Sequence, residues 1–180
     1  MAILDLVLSP NPLLNQASKK VDIIDDELKK LMNDMLDTMY HVLGVGLAAV
    51  QIGVLKRAVV MDVDFKIEES SDLNDTKYKI TNKKPKFIIN PEIIESSSQI
   101  ISNDEGCLSF PKASSKVLRP ENVKIKYLDI NGNEIIENMS GLAAQCIQHE
   151  VDHINGITFV DHISKLKRDM ILKKMKKNNK

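Results

Sequence analysis

The sequence predicts a single α+β domain in which short antiparallel strands pack around a central helix and another helix closes the chain. Three observations predict it. Residues 25–43 carry Leu28, Leu31, Met32, Met35, Leu36, Met39, Tyr40 and Leu43 in steps of three and four, the pattern of an amphipathic helix. Val123, Ile125 and Tyr127 alternate with Lys124 and Lys126, and Asn131-Gly132 then favours a tight turn into Glu134-Ile135-Ile136. No internal repeat and no Pro- or Ser-rich linker divides the 180 residues, a length that suits one core.

The elements follow in order. Asp25, Asp26 and Glu27 put negative charge at the positive end of the first helix. A Gly-flanked segment runs from Gly44 to Gly53. Ala58–Met61 and Phe87–Asn90 read as short buried strands. Residues 66–85, rich in Lys, Ser, Asp and Asn and without a period, read as a mobile surface loop. Ser140 is placed to cap a helix through Leu142, Ala143, Cys146, Ile147, His149, Glu150 and His153, and Asn155-Gly156 would end it. A last helix covers about 164–177.

Composition narrows the class. Apolar residues make up 43% and charged ones 28%, the balance of a soluble globular protein. No apolar run approaches the roughly 20 residues that span a bilayer. The Met1–Asp5 start lacks a basic region followed by a long apolar stretch, so a cytoplasmic location is expected, with no membrane or DNA partner. Two cysteines, Cys107 and Cys146, cannot build a disulfide framework. The net charge is zero, yet Ser164–Lys180 holds eight basic residues against Asp169, a local +7. Such an end is either a solvated helix face or a dock for an anionic surface.

The chemistry concentrates in His149-Glu150-Val151-Asp152-His153. Histidines four apart on a helix project from one face and can grip one metal ion. Glu150, beside the first, can serve a metal-activated water as general base without binding the metal. A third protein ligand is needed. The metzincin position is Phe159, which cannot bind metal, and a thermolysin-like Glu is missing because no Glu follows Ile154. The remaining candidates are Cys107, Cys146, His162 and His41. Three ligands from one short helical stretch rarely meet in tetrahedral geometry, so Cys146 reads as core. His162 and His41 lie near helix ends and read as surface. Cys107 sits in Asp104-Glu105-Gly106-Cys107-Leu108-Ser109-Phe110-Pro111, a bend that can present a thiolate to a metal. Asp152 points to another face and reads as an outer partner or a cap contact.

Three segments, in order, resemble the peptide deformylase family. They are Gly44-Val45-Gly46-Leu47-Ala48-Ala49-Val50-Gln51, Glu105-Gly106-Cys107-Leu108-Ser109, and Gln148-His149-Glu150-Val151-Asp152-His153. The resemblance implies an enzyme that removes the N-terminal formyl group from formyl-methionyl nascent polypeptides. It implies that Cys107, His149 and His153 hold one divalent metal ion with water as fourth ligand. Ferrous iron is the implied metal, with zinc, nickel or cobalt as substitutes. Glu150 would be the general acid/base. Gln51 and the Leu108 backbone N–H would stabilise the oxyanion, and the Gly46 backbone would position substrate. Ile147, Val151 and Ile88 are expected to wall a pocket for the substrate Met side chain. The resemblance also raises ribosome contact through the basic C-terminal helix.

Overall fold

The structure, a computed structural model, describes residues 2–69 and 78–178. Helix α1 (Asp26–His41) forms as the apolar spacing predicts, and the Asp25 side chain caps it by accepting from the Leu28 N–H. It ends where Leu43 takes the left-handed turn, φ 55°, and the Gly44 N–H reaches back to the Met39 carbonyl. Strand β1 (Gly46–Ala48) runs into a 3-10 turn at Ala49–Ile52. Strands β2 (Ala58–Met61), β3 (Lys66–Glu69), β4 (Tyr78–Thr81), β5 (Lys86–Ser96), β6 (Ile100–Gly106), β7 (Ser114–Pro120), β8 (Asn122–Leu128) and β9 (Glu134–Ser140) follow. Helix α2 (Gly141–Ile154), a 3-10 turn at Phe159–His162 and helix α3 (Lys165–Asn178) complete the chain.

Five strands form one antiparallel sheet in the order β1-β2-β5-β8-β9. The β-strand period of two sorts its side chains between two helices. Ala58 and Val60 join Met32, Met35 and Met39 of α1, whereas Val59 and Met61 join Ile147, Val151 and Ile154 of α2. On the other flank of α2 stands the separate ribbon β6–β7, joined to it through side chains described below. Helix α2 is therefore enclosed between sheet and ribbon, the central position the sequence predicts.

Two expectations are corrected. Residues 66–69 and 78–81 are not loop but an antiparallel pair, β3–β4, in which Ile67 faces Ile80 and Glu68 faces Lys79. Opposed charges and β-branched residues supply cross-strand pairing without any burial period, because every residue of β3 is exposed. The central part of the expected loop, 70–77, lies outside the described residues. Ser140 does occupy the N-cap of α2, but its side chain makes no cap bond. It is also the last residue of β9, so its extended backbone belongs to the ladder with Asn122.

Helix α3 is docked as well as basic. Met175 is buried in a third cluster with Leu14, Phe110, Val117, Phe159 and Val160, and Ile171 and Leu172 pack against it. The lysines on the other faces of the helix stay exposed. No helix among the described residues is long and apolar enough to cross a membrane.

Candidate metal centre and active site

Three elements meet at the site. The bend between β6 and β7 supplies Cys107, Leu108 and Ser109, α2 supplies His149, Glu150 and His153, and the 3-10 turn after β1 supplies Gln51. The N-terminal segment braces two of these, since the Val7 N–H donates to the Gln51 carbonyl at 2.7 Å and the Ser9 N–H to the Ser109 carbonyl at 2.8 Å.

Cys107, His149 and His153 present ligand atoms that all lie within 4.8 Å of one another. The Cys107 Sγ is 3.1 Å from His153 Nε2, and the two imidazole rings stand nearly perpendicular, 78° apart. One helical turn aims both rings at the sulfur, as the spacing predicts. His149 Nδ1 meets Glu105 Oε2 at 3.0 Å. An ionised carboxylate only accepts, so Nδ1 carries a hydrogen and Nε2 is the ring nitrogen that could face a metal. Two imidazoles and a thiolate suit iron, zinc, cobalt or nickel rather than the oxygen-seeking magnesium or calcium.

Glu105 is itself clamped by Arg119, with Nε to Oε1 at 2.5 Å and Nη2 to Oε2 at 2.9 Å, both side chains almost fully buried. Burial alone would raise the Glu105 carboxyl. Hydrogen bonds from His149 and Arg119, and the charge of Arg119, bring it down to about 2. Glu150 goes the other way. It is 3% exposed, and its Oε2 has no hydrogen-bond partner among the described residues. Burial, opposed by the charge of His149, pushes its carboxyl up to about 7.

Gly46 makes room for that carboxyl. A Cβ added there would come within 2.5 Å of Glu150 Oε1 and 2.7 Å of Cys146 Sγ, closer than real contacts allow. Gln51 is 1% exposed, and its Oε1 accepts from the Ala48 N–H at 2.9 Å. That bond fixes the amide, so Nε2 faces Ser109 Oγ at 3.2 Å and Cys107 Sγ at 3.6 Å.

The site opens into a cleft of about 510 Å³ lined by Val45, Gly46, Leu108, Leu142, Gln145, Cys146, His149 and Glu150 among others. Residues 142, 145, 146, 149 and 150 form one stripe of α2. Ile147 and Val151 lie on the opposite stripe, packed with Ile88 against the sheet, so none of the three expected wall residues lines the cleft. Cys146 is core, as expected, yet it also borders the cleft. His41 is exposed at the end of α1, and His162 binds Asp152 instead of joining the donor cluster. Asp152 is an outer partner, 2.8 Å from Arg119 Nη1. Arg119 is the residue the sequence reading missed. In β7 it shares the inward side with Val117, but a charged residue there reads as surface in the sequence.

The chain matches the family model described as polypeptide deformylase over residues 3–169, which takes in every residue of the site. It belongs to the peptide deformylase family. The peptide deformylase of Phenylobacterium zucineum is 46% identical over 180 residues, covering 100% of this chain and 99% of the relative. That of Brucella suis is 44% identical over 177 residues, covering 98% and 94%. The crystal structure of the peptide deformylase from Ehrlichia chaffeensis covers 99% of this chain and 97% of its own, with 40% identity and a TM-score of 0.87. Peptide deformylases are metal-dependent hydrolases that take the formyl group from nascent polypeptides, and this chain is an enzyme of that kind.

Proposed function

We propose that Cys107, His149 and His153 hold one divalent ion, ferrous iron in the cell, and that Glu150, Gln51 and the Leu108 N–H carry the hydrolysis of N-formylmethionyl peptides in the cytoplasm. The convergence of a sulfur and two ring nitrogens beside a buried, half-unpartnered carboxyl supports this reading. Three protein donors would leave such an ion accessible to water and substrate, as a catalytic rather than a structural site requires. Such an ion, when bound, supplies Lewis acidity that makes water a nucleophile near neutral pH.

The chain's own groups do the rest. Glu150, with its carboxyl near 7, accepts the proton as water attacks the formyl carbon. The Gln51 Nε2–H and the Leu108 N–H donate to the oxygen that becomes negative, each such donor being worth ~3 kcal/mol. Glu150 then returns the proton to the departing amine, the C–N bond breaks, and formate leaves. Gly46 leaves open the space that this carboxyl occupies. The cleft stripe of Leu142, Gln145 and Cys146 replaces Ile147, Val151 and Ile88 as the wall proposed for the Met side chain.

A formyl-Met peptide and its acetylated twin test the reaction. Formate from the first and no cleavage of the second is the expected result, and cutting of internal bonds in either would make the enzyme a general metallopeptidase instead. The exposed lysines of α3 favour a second reading, contact with ribosomal RNA where nascent chains emerge. Salt-sensitive ribosome binding that disappears when the exposed Lys173, Lys176 and Lys177 are replaced by Glu supports it, and binding unchanged by those replacements rejects it.

A further inference from the structure

A continuous polar chain runs from the surface to His149. His162 Nε2 lies 2.7 Å from Asp152 Oδ2, and that same oxygen is 2.8 Å from Arg119 Nη1. Arg119 forks onto Glu105, whose Oε2 meets His149 Nδ1 at 3.0 Å. Every link is within hydrogen-bond range. Exposure falls inward along the chain, from 33% for the His162 side chain to 17% for Asp152, 6% for Arg119 and 3% for Glu105.

We propose that His162 is a positioning residue for His149, acting through Asp152, Arg119 and Glu105; the inference rests on reading His149 as a metal ligand. Asp152 lies in the last turn of α2, where the helix carbonyls disfavour a carboxylate, so its orientation depends on the donors around it. Arg119 grips it from inside and His162 from outside. The guanidinium is a rigid plane, so a tilt of Asp152 that turns Nη1 also turns the Nε and Nη2 bonds to Glu105. Glu105 sets the orientation and tautomer of His149. His162 is suited to anchor this chain because its 3-10 turn is itself fixed. Phe159 is fully buried, and the Asp161 carboxylate accepts from Thr158 N and Oγ1 at 2.8 and 2.9 Å.

Cobalt(II) affinity by chelator competition, with the visible cobalt spectrum, tests the proposal. Loss of an outer partner of a metal-bound histidine typically weakens binding ~10–100-fold. His162 stands further out, so His162→Ala should weaken cobalt binding about threefold to tenfold and shift the cobalt bands. His162→Gln, which keeps an N–H for Asp152, should recover most of both, and His162→Ala should have no effect in an Asp152→Ala background. Unchanged affinity and spectrum in His162→Ala would overturn the proposal. So would equal losses in the Ala and Gln variants, or a loss that persists without Asp152. His149→Ala is the separate control: if it retains cobalt, the ligand reading itself has failed.

Discussion

At Glu150 the sequence and the fold each contribute to the role proposed for it. Its place beside His149 comes from the sequence, but its raised carboxyl comes from burial under the cleft wall. Replacing it by Gln should leave metal content intact and cut turnover ~10²–10⁴-fold, the range of general acid–base catalysis. Metal analysis beside the formate assay checks this, and an active, metal-replete variant would remove Glu150 from the mechanism. Gly46 is coupled to it. Gly46→Ala forces a methyl against Glu150 Oε1 and Cys146 Sγ, so kcat should fall while cobalt affinity, set by other residues, changes little. The paired histidines were legible because helical spacing alone aligns them. Arg119 was not, because its partners Glu105 and Asp152 lie 14 and 33 residues away and only the folded ribbon brings them together.

Among elements, legibility followed burial. Helix α1 and the β8–β9 hairpin have one buried face, which stamps a period on the sequence. The β3–β4 pair is exposed, and its ladder leaves no apolar pattern to read. The β6–β7 ribbon was missed for another reason: two of its inward positions carry charge, Glu105 and Arg119, which looks like surface until the ion pair is seen. Bonded to both His149 and Arg119, Glu105 gives the ribbon a pH signature. The Glu105 carboxyl is held at about 2, below its ordinary 4.5, so its stabilisation is present above 4.5 and lost as pH falls toward 2. In metal-stripped protein the urea midpoint should drop across that window, and Glu105→Gln should flatten the drop. Identical pH slopes in the two proteins would contradict the assignment.

Across the whole molecule, the site exists where packed clusters meet: the sheet with its two helices, and the cluster that ties the β6–β7 ribbon through Val117 to Met175 of α3. Helix α3 was legible as a basic helix, but its docking was not, since Met175 finds Phe110 and Phe159 only after folding. Met175→Ala should cost about 2–5 kcal/mol by urea unfolding, whereas a helix merely solvated would lose almost nothing. Because the Cys107 bend and α2 belong to different core clusters, the most direct test is X-ray absorption of the metal-loaded enzyme. One sulfur and two imidazole nitrogens on the metal are the expected result, with the sulfur signal lost in Cys107→Ala and kept in Cys146→Ala. A sulfur signal that survives Cys107→Ala would contradict it.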